Sequence, residues 1–164
     1  MEKKVEFGFQ YSEFSRLEEL PESLIKLSQK AKEAVKSSHS PYSHFAVGAA
    51  VLLENGEVVL GSNQENGAYP SGLCAERVAL FYAGSAFPNI AVTAIAIAAS
   101  FKGKPTKEPI SPCGGCRQVM IETRHMGKQP IKLVMLGENK IVLVEDVVYL
   151  LPFNFSSIDD VIKD

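Results

Sequence analysis

All three cysteines of this 164-residue chain fall in two short clusters, Cys74-Ala75-Glu76 and Pro112-Cys113-Gly114-Gly115-Cys116, about forty residues apart. Each cluster stands where the sequence pattern starts a helix, so thiols that share a partner require two helix N-termini to converge. Cys113 and Cys116, three positions apart, are neighbours on one face of a first helical turn. Glu76 lies two residues beyond Cys74. Helical side chains tilt toward the N-terminus, so its longer arm reaches back past the cysteine. Three thiolates suit a zinc ion whose fourth position stays open, and the glutamate is placed to move a proton there. The unpaired N–H groups and dipoles of two helix starts favour the negative charge that three thiolates bring. Zinc with three thiolates carries a formal charge of about −1. Arg77, beside Glu76, and Arg117, beside Cys116, are the cations available to donate to the sulfurs.

Other readings of the same residues stay open. Cys-Gly-Gly-Cys alone fits a redox dithiol, although a redox motif has no use for Cys-Ala-Glu on a second helix. A closed structural zinc site needs a fourth protein ligand. No fourth cysteine exists, which leaves His39, His44 and His125. His44 just before a strand and His125 near a helix end favour structural roles. A non-catalytic zinc or redox module is therefore the alternative to an open, catalytic centre.

The rest of the chain sets the frame. With 46% hydrophobic and 22% charged residues the composition is globular, and the length fits a single domain, 1–164. A net charge of −2 lacks the basic excess of nucleic-acid binders. Lysines 26, 30, 32 and 36 interleave with Glu22 and Glu33, as on the solvated face of a helix. The run from Ile90 to Ala99 is half of the ~20 residues that a membrane span needs and reads as a buried strand. The N-terminus shows no apolar stretch of the secretory kind. An odd cysteine count argues against a disulfide framework. These features lead to the expectation of a cytoplasmic protein that engages neither nucleic acid nor membrane.

Alternation at Val5, Phe7, Phe9 and Tyr11 predicts a short strand in an N-terminal extension, 1–20. Apolar positions Leu24, Leu27, Ala31, Ala34 and Val35 predict an amphipathic helix over 21–37. Strands are expected at 45–53 and 57–62, joined at Asn55-Gly56 by a turn with two positive φ angles. Helices follow at 73–86 and 113–126, the second capped by Gly127. Between them lie a strand at 90–99 and a loop at 100–111. Strands at 131–136 and 141–144 are too close for a crossover and must be antiparallel. A short helix near 145–151 and a further turn or two from Ser156 complete the chain. The order predicts an α/β fold of three layers, α-β-α, around a mixed sheet of about five strands whose last pair is antiparallel.

Five stretches in order carry a resemblance across 30–157. They are Pro41-Tyr42-Ser43-His44-Phe45-Ala46-Val47-Gly48-Ala49-Ala50, Asn63-Gln64-Glu65-Asn66-Gly67-Ala68-Tyr69-Pro70, Leu73-Cys74-Ala75-Glu76-Arg77, Ser111-Pro112-Cys113-Gly114-Gly115-Cys116-Arg117-Gln118 and Leu150-Leu151-Pro152. With them the chain resembles the small zinc-dependent cytidine deaminases that act on free nucleosides, and the cysteine and glutamate spacing is the signature of zinc deaminases at large. The resemblance implies one Zn²⁺ per chain on Cys74, Cys113 and Cys116, with Glu76 as proton shuttle. It implies that Phe45 packs against the pyrimidine and that Asn63 and Glu65 bind ribose hydroxyls. The N–H of Ala75 would meet the base carbonyl, and the carbonyl of Ser111 would receive the exocyclic amine. It further implies a homotetramer in which Asn66, Ala68, Tyr69 and Phe155 serve a neighbouring subunit's site. The family usually has alanine where this chain has Gly67. The reaction implied is hydrolytic deamination of cytidine and deoxycytidine, with no redox cofactor. Within the zinc deaminases, the alternative substrates are a modified aminopyrimidine antibiotic or a base in RNA.

Overall fold

The computed structural model describes residues 2–155. The further turn expected from Ser156 lies outside the described residues. Seven strands form one mixed sheet: β1 (Ser12–Phe14), β2 (Phe45–Leu53), β3 (Val58–Ser62), β4 (Val92–Phe101), β5 (Lys104–Pro105), β6 (Lys132–Leu136) and β7 (Ile141–Val144). Their spatial order is β1-β7-β6-β4-β2-β3, and β5 pairs with β4. The sheet thus exceeds the expected five strands by the two shortest, β1 and β5. β4 is the pivot, antiparallel to β2 and parallel to β6. The closing β6–β7 pair is antiparallel, as its short connection requires.

Alternation along β4 separates the two faces. Ala94, Ala96 and Ala98 face the helix α1 (Glu22–Ala34), which buries Leu24, Leu27 and Ala31 against them. Ile95, Ile97 and Ala99 face the opposite layer, made by α2 (Ala75–Ala86) and α3 (Gly114–Gly127). A strand buried on both faces reads as a continuous apolar run, which is how 90–99 appears in the sequence. Gly61 on β3 lets the start of α2 approach the sheet, since a Cβ there would collide with the Ala75 carbonyl oxygen and the Ala79 nitrogen.

Several local expectations are corrected. In the turn after β2 only Gly56 has positive φ, at 88°; Asn55 does not. The Gly56 N–H donates to Leu53 and the Leu53 N–H to Glu57, so this is a three-residue loop with glycine in the left-handed position. The turn with two positive φ angles lies instead at Lys102 (50°) and Gly103 (78°), joining β4 to β5 inside the stretch expected to be loop. The left-handed residue ending α3 is Lys128, φ 53°, rather than Gly127. Gly127 has a different task, since a Cβ there would sit 3.1 Å from that of Ala91.

The strand expected over Val5, Phe7, Phe9 and Tyr11 does not form. Residues 2–11 carry no regular structure, and pairing with β7 begins only at Ser12. Aromatic contact replaces the ladder: Phe9 stacks on Tyr149, with ring centroids 5.7 Å apart and planes 6° from parallel. The predicted last helix is a single 3-10 turn, Val147–Leu150, started by the Asp146 carboxylate accepting from the Val148 N–H.

Candidate active site

Cys74 and Cys113 are the residues immediately before α2 and α3, both in extended backbone conformation, and Cys116 is in the first turn of α3. The first i→i−4 bonds of these helices run from the N–H groups of Val78 and Arg117 back to Cys74 and Cys113. The N–H groups of both first turns are thus left without intrahelical acceptors beside the sulfurs. The three Sγ atoms lie within 4.8 Å of one another. Cys74–Cys113 is 3.8 Å and Cys113–Cys116 is 3.5 Å. A tetrahedral ion with Zn–S bonds of about 2.3 Å sets its sulfurs ~3.8 Å apart, so the cluster fits zinc. Among the described residues no histidine joins the cluster, which disfavours a closed four-ligand site.

Electrostatics divide the thiols. Hydrogen bonding from Cys116, aided by Arg77, holds the Cys74 thiol below its ordinary range. The same shared bond, with burial, pushes Cys116 up. Arg77 sends Nη2 to the Cys74 sulfur at 3.8 Å. Arg117, the other cation expected at the sulfurs, turns away. Its Nε donates to the Pro112 carbonyl at 2.9 Å and Nη1 to the Leu150 carbonyl at 3.0 Å. It therefore fastens the metal loop to the C-terminal segment rather than neutralising thiolate. Glu76 is 97% buried. Burial is the first cause of its raised pKa, reinforced by the neighbouring Cys74 charge. A carboxyl shifted upward in this way is suited to exchanging protons near neutral pH.

The loop carrying Pro112 and Cys113 is pinned by the β6–β7 turn. The N–H groups of Glu138 and Asn139 donate to the carbonyls of Thr106 and Lys107. Lys140 bridges Glu108 to Glu13 of β1. Nothing in the local sequence of either turn signals this pairing.

A cavity of about 760 Å³ opens above the sulfurs, and Phe45, Asn63, Glu65, Ala75, Glu76 and Ser111 all line it. Asn63 ties the start of β2 to the end of β3: Oδ1 accepts from the Val47 N–H (2.7 Å) and the Ser38 hydroxyl (2.6 Å), while Nδ2 donates to the Phe45 carbonyl (2.9 Å). One N–H of that amide remains for a ligand. The Glu65 carboxylate accepts from Tyr42, Ser43 and the Ser43 hydroxyl. Of the residues expected to serve a neighbouring subunit, Asn66 and Tyr69 line this chain's own cavity, whereas Ala68 and Phe155 do not. Phe155 is exposed, with its carbonyl accepting from Gln118 at 2.6 Å. Tyr42 and Ser43 stand in the first of the resembling stretches, where nothing in the local sequence marks them as partners of Glu65.

Residues 21–131 match the family described as the cytidine and deoxycytidylate deaminase zinc-binding region. The chain is 41% identical to the cytidine deaminase of Sporosarcina psychrophila over 142 residues, 84% of this chain and 93% of that protein. It is 47% identical to that of Halalkalibacterium halodurans over 96 residues, 58% of this chain and 68% of its relative. The crystal structure of cytidine deaminase from Burkholderia pseudomallei superposes with a TM-score of 0.69 at 39% identity, covering 79% of this chain and 97% of that one. The spacing of sulfurs around a buried carboxyl and the likeness in sequence and fold agree, and the chain belongs to the zinc-dependent cytidine and deoxycytidylate deaminase family.

Proposed function

We propose that this chain hydrolyses the 4-amino group of cytidine and deoxycytidine, releasing ammonia and leaving uridine or deoxyuridine. The observation that carries this reading is the trio of sulfurs at tetrahedral spacing with a buried Glu76 beside them, its carboxyl shifted upward by burial, at the floor of a nucleoside-sized cavity. Zinc, when held by Cys74, Cys113 and Cys116, supplies Lewis-acid activation of water at neutral pH. Glu76 accepts a proton from the attacking water and delivers it to ring N3. It then takes the second proton from the new C4 hydroxyl and passes it to the departing amine, so that C4 becomes a carbonyl as ammonia leaves. Phe45 packs against the pyrimidine, the Ala75 N–H meets the base carbonyl, and the Ser111 carbonyl receives the amine. Asn63 and Glu65 bind the sugar. Arg77 offsets thiolate charge.

The active assembly in this reading is a homotetramer in which Asn66, Ala68, Tyr69 and Phe155 reach a neighbouring site; the exposure of Tyr69 and Phe155 supports it. Three thiols reserved for metal fit a reducing, cytoplasmic setting, and no helix among the described residues is long and apolar enough to cross a membrane. The net charge of −2 favours a free nucleoside over RNA. Metal analysis together with ultraviolet loss of cytidine tests the assignment. One zinc per chain with turnover supports it, and zinc without turnover on cytidine or deoxycytidine refutes it.

A further inference from the structure

The loop 40–45 between α1 and β2 is fixed at both ends. The His44 N–H donates to the Ser40 carbonyl at 3.1 Å, and the Lys102 N–H donates to the His44 carbonyl at 2.9 Å. His44 itself stands at φ 56°, in the left-handed region that side-chain-bearing residues seldom enter. Around this turn three donors converge on one acceptor. The N–H groups of Tyr42 (2.9 Å) and Ser43 (3.3 Å) both reach Oε2 of Glu65, and the Ser43 hydroxyl reaches Oε1. The same Ser43 oxygen accepts the N–H of Phe45 at 3.0 Å.

A hydroxyl has one proton to give. Here it goes to Glu65, while a lone pair is spent on the backbone of the residue whose ring walls the cavity. Oε2, with two partners, has its in-plane acceptor directions filled. Oε1, with one partner, keeps a single direction open, and its orientation depends on how Ser43 holds the carboxylate. We propose that Ser43 is a positioning residue for nucleoside recognition: its hydroxyl sets the rotation of the Glu65 carboxylate and so aims the remaining Oε1 lone pair at a sugar hydroxyl. This rests on the reading that Glu65 meets the sugar. The Ser43 bond is also the first cause that holds the Glu65 carboxyl below the usual carboxylate range, ahead of the loop N–H groups and of the nearby His39 charge.

If Ser43 only stiffened its loop, its loss would lower stability and affect all substrates alike. The test therefore uses Ser43→Ala, Ser43→Thr, Glu65→Ala and the Ser43→Ala/Glu65→Ala double variant. Specificity constants are measured on cytidine and on its 2′-, 3′- and 5′-deoxy forms, with melting temperatures alongside. Losing one hydrogen bond to a charged group, Ser43→Ala should lower kcat/KM for cytidine about tenfold. The loss should sit in KM, with kcat changed less than about twofold, and Ser43→Thr should restore it. In the Glu65→Ala background the same change should cost less than about twofold. One deoxy substrate should likewise lose its sensitivity to Ser43→Ala.

Carbon-13 titration of the Glu65 carboxyl gives a readout independent of turnover, and its pKa should rise in Ser43→Ala. A damaging Glu65→Ala with a harmless Ser43→Ala overturns the positioning role alone. An equal Ser43→Ala cost with or without Glu65 does the same. A harmless Glu65→Ala overturns the sugar reading itself, and the proposal with it.

Discussion

The floor and the mouth of the cavity are held in different ways. At the floor, Cys74, Glu76, Cys113 and Cys116 all lie within three residues of a helix start, and helical geometry sets their mutual positions once α2 and α3 lie side by side. At the mouth, Asn63 and Glu65 stand in irregular chain. They are oriented by side-chain bonds that span 16 to 25 residues, from Val47 at the near end to Ser38 at the far one. A floor built on helix starts is rigid and repeats from a short motif. A mouth built on crosslinks between loops depends on each crosslink, and its failures should be partial. Substitutions at the floor should abolish chemistry, and those at the mouth should mainly weaken binding.

The largest expected effect is at the floor. Glu76→Gln keeps shape and volume but cannot carry the proton, so kcat should fall by about 10³-fold or more, near the upper end for a lost general acid/base. Zinc content, measured by elemental analysis, should stay near one per chain. Normal turnover would break the assignment of Glu76, and loss of zinc would make it a ligand.

At the mouth, Asn63→Ala removes three hydrogen bonds at once. It should destabilise the fold by about 2–3 kcal/mol, since each net bond contributes about 1 kcal/mol. KM for cytidine should rise, with kcat less affected. Denaturant unfolding and steady-state kinetics measured together would show whether the mouth's crosslinks couple stability to binding. A change in kcat alone would erase the contrast with the floor.

A smaller effect is expected from Arg77→Gln, which withdraws the one arginine donor at a ligand sulfur among the described residues. With a cation gone, each loss of a proton at the thiolate corner becomes harder. The rising limb of the pH–rate profile should move to higher pH, and activity at neutral pH should fall about tenfold. Arg117→Gln, whose parent donates to the Pro112 and Leu150 carbonyls, should lower the melting temperature without moving that limb.

These contrasts track what can be read in the sequence. The metal corner is legible because residues two and three apart on a helix have one geometry, and so are the apolar strands, whose period or buried run declares them. The errors fall where a local signal had more than one use. Asn55-Gly56 spells a tight hairpin, yet the turn with two left-handed residues is at Lys102-Gly103. Gly127 suggests a cap, but close packing on Ala91 claims it, and lysine takes the strained position. Phe7 and Phe9 alternate like a strand, while aromatic stacking on Tyr149, far away in sequence, decides the placement of Phe9. Arg117 and Ser43 are the same lesson at the site. Adjacency to a cysteine said nothing of the Leu150 carbonyl, and a serine in a loop motif said nothing of a carboxylate 22 residues on.

The smallest effect is expected at Gly67, where the family resemblance implies alanine. Its φ is not in the left-handed region, so a side chain brings no backbone strain. An added Cβ would stand 3.1 Å from the Tyr42 hydroxyl, a few tenths of an ångström too close. Tyr42 is 56% exposed and meets Tyr69 edge-on at 6.2 Å, so its ring has room to give. Set against this is the gain from restricting the unfolded chain, about 0.4–1 kcal/mol for glycine to alanine at a compatible site. Gly67→Ala should therefore raise the melting temperature by ~1–3 °C and leave kcat/KM for cytidine within about twofold. Tyr42 also supplies a backbone N–H to Glu65, so a displaced ring could disturb the sugar contact through the main chain. A loss of tenfold or more would show that the mouth transmits a shift of tenths of an ångström from Tyr42 to Glu65. The crosslinked loops would then be as unforgiving as the helix starts.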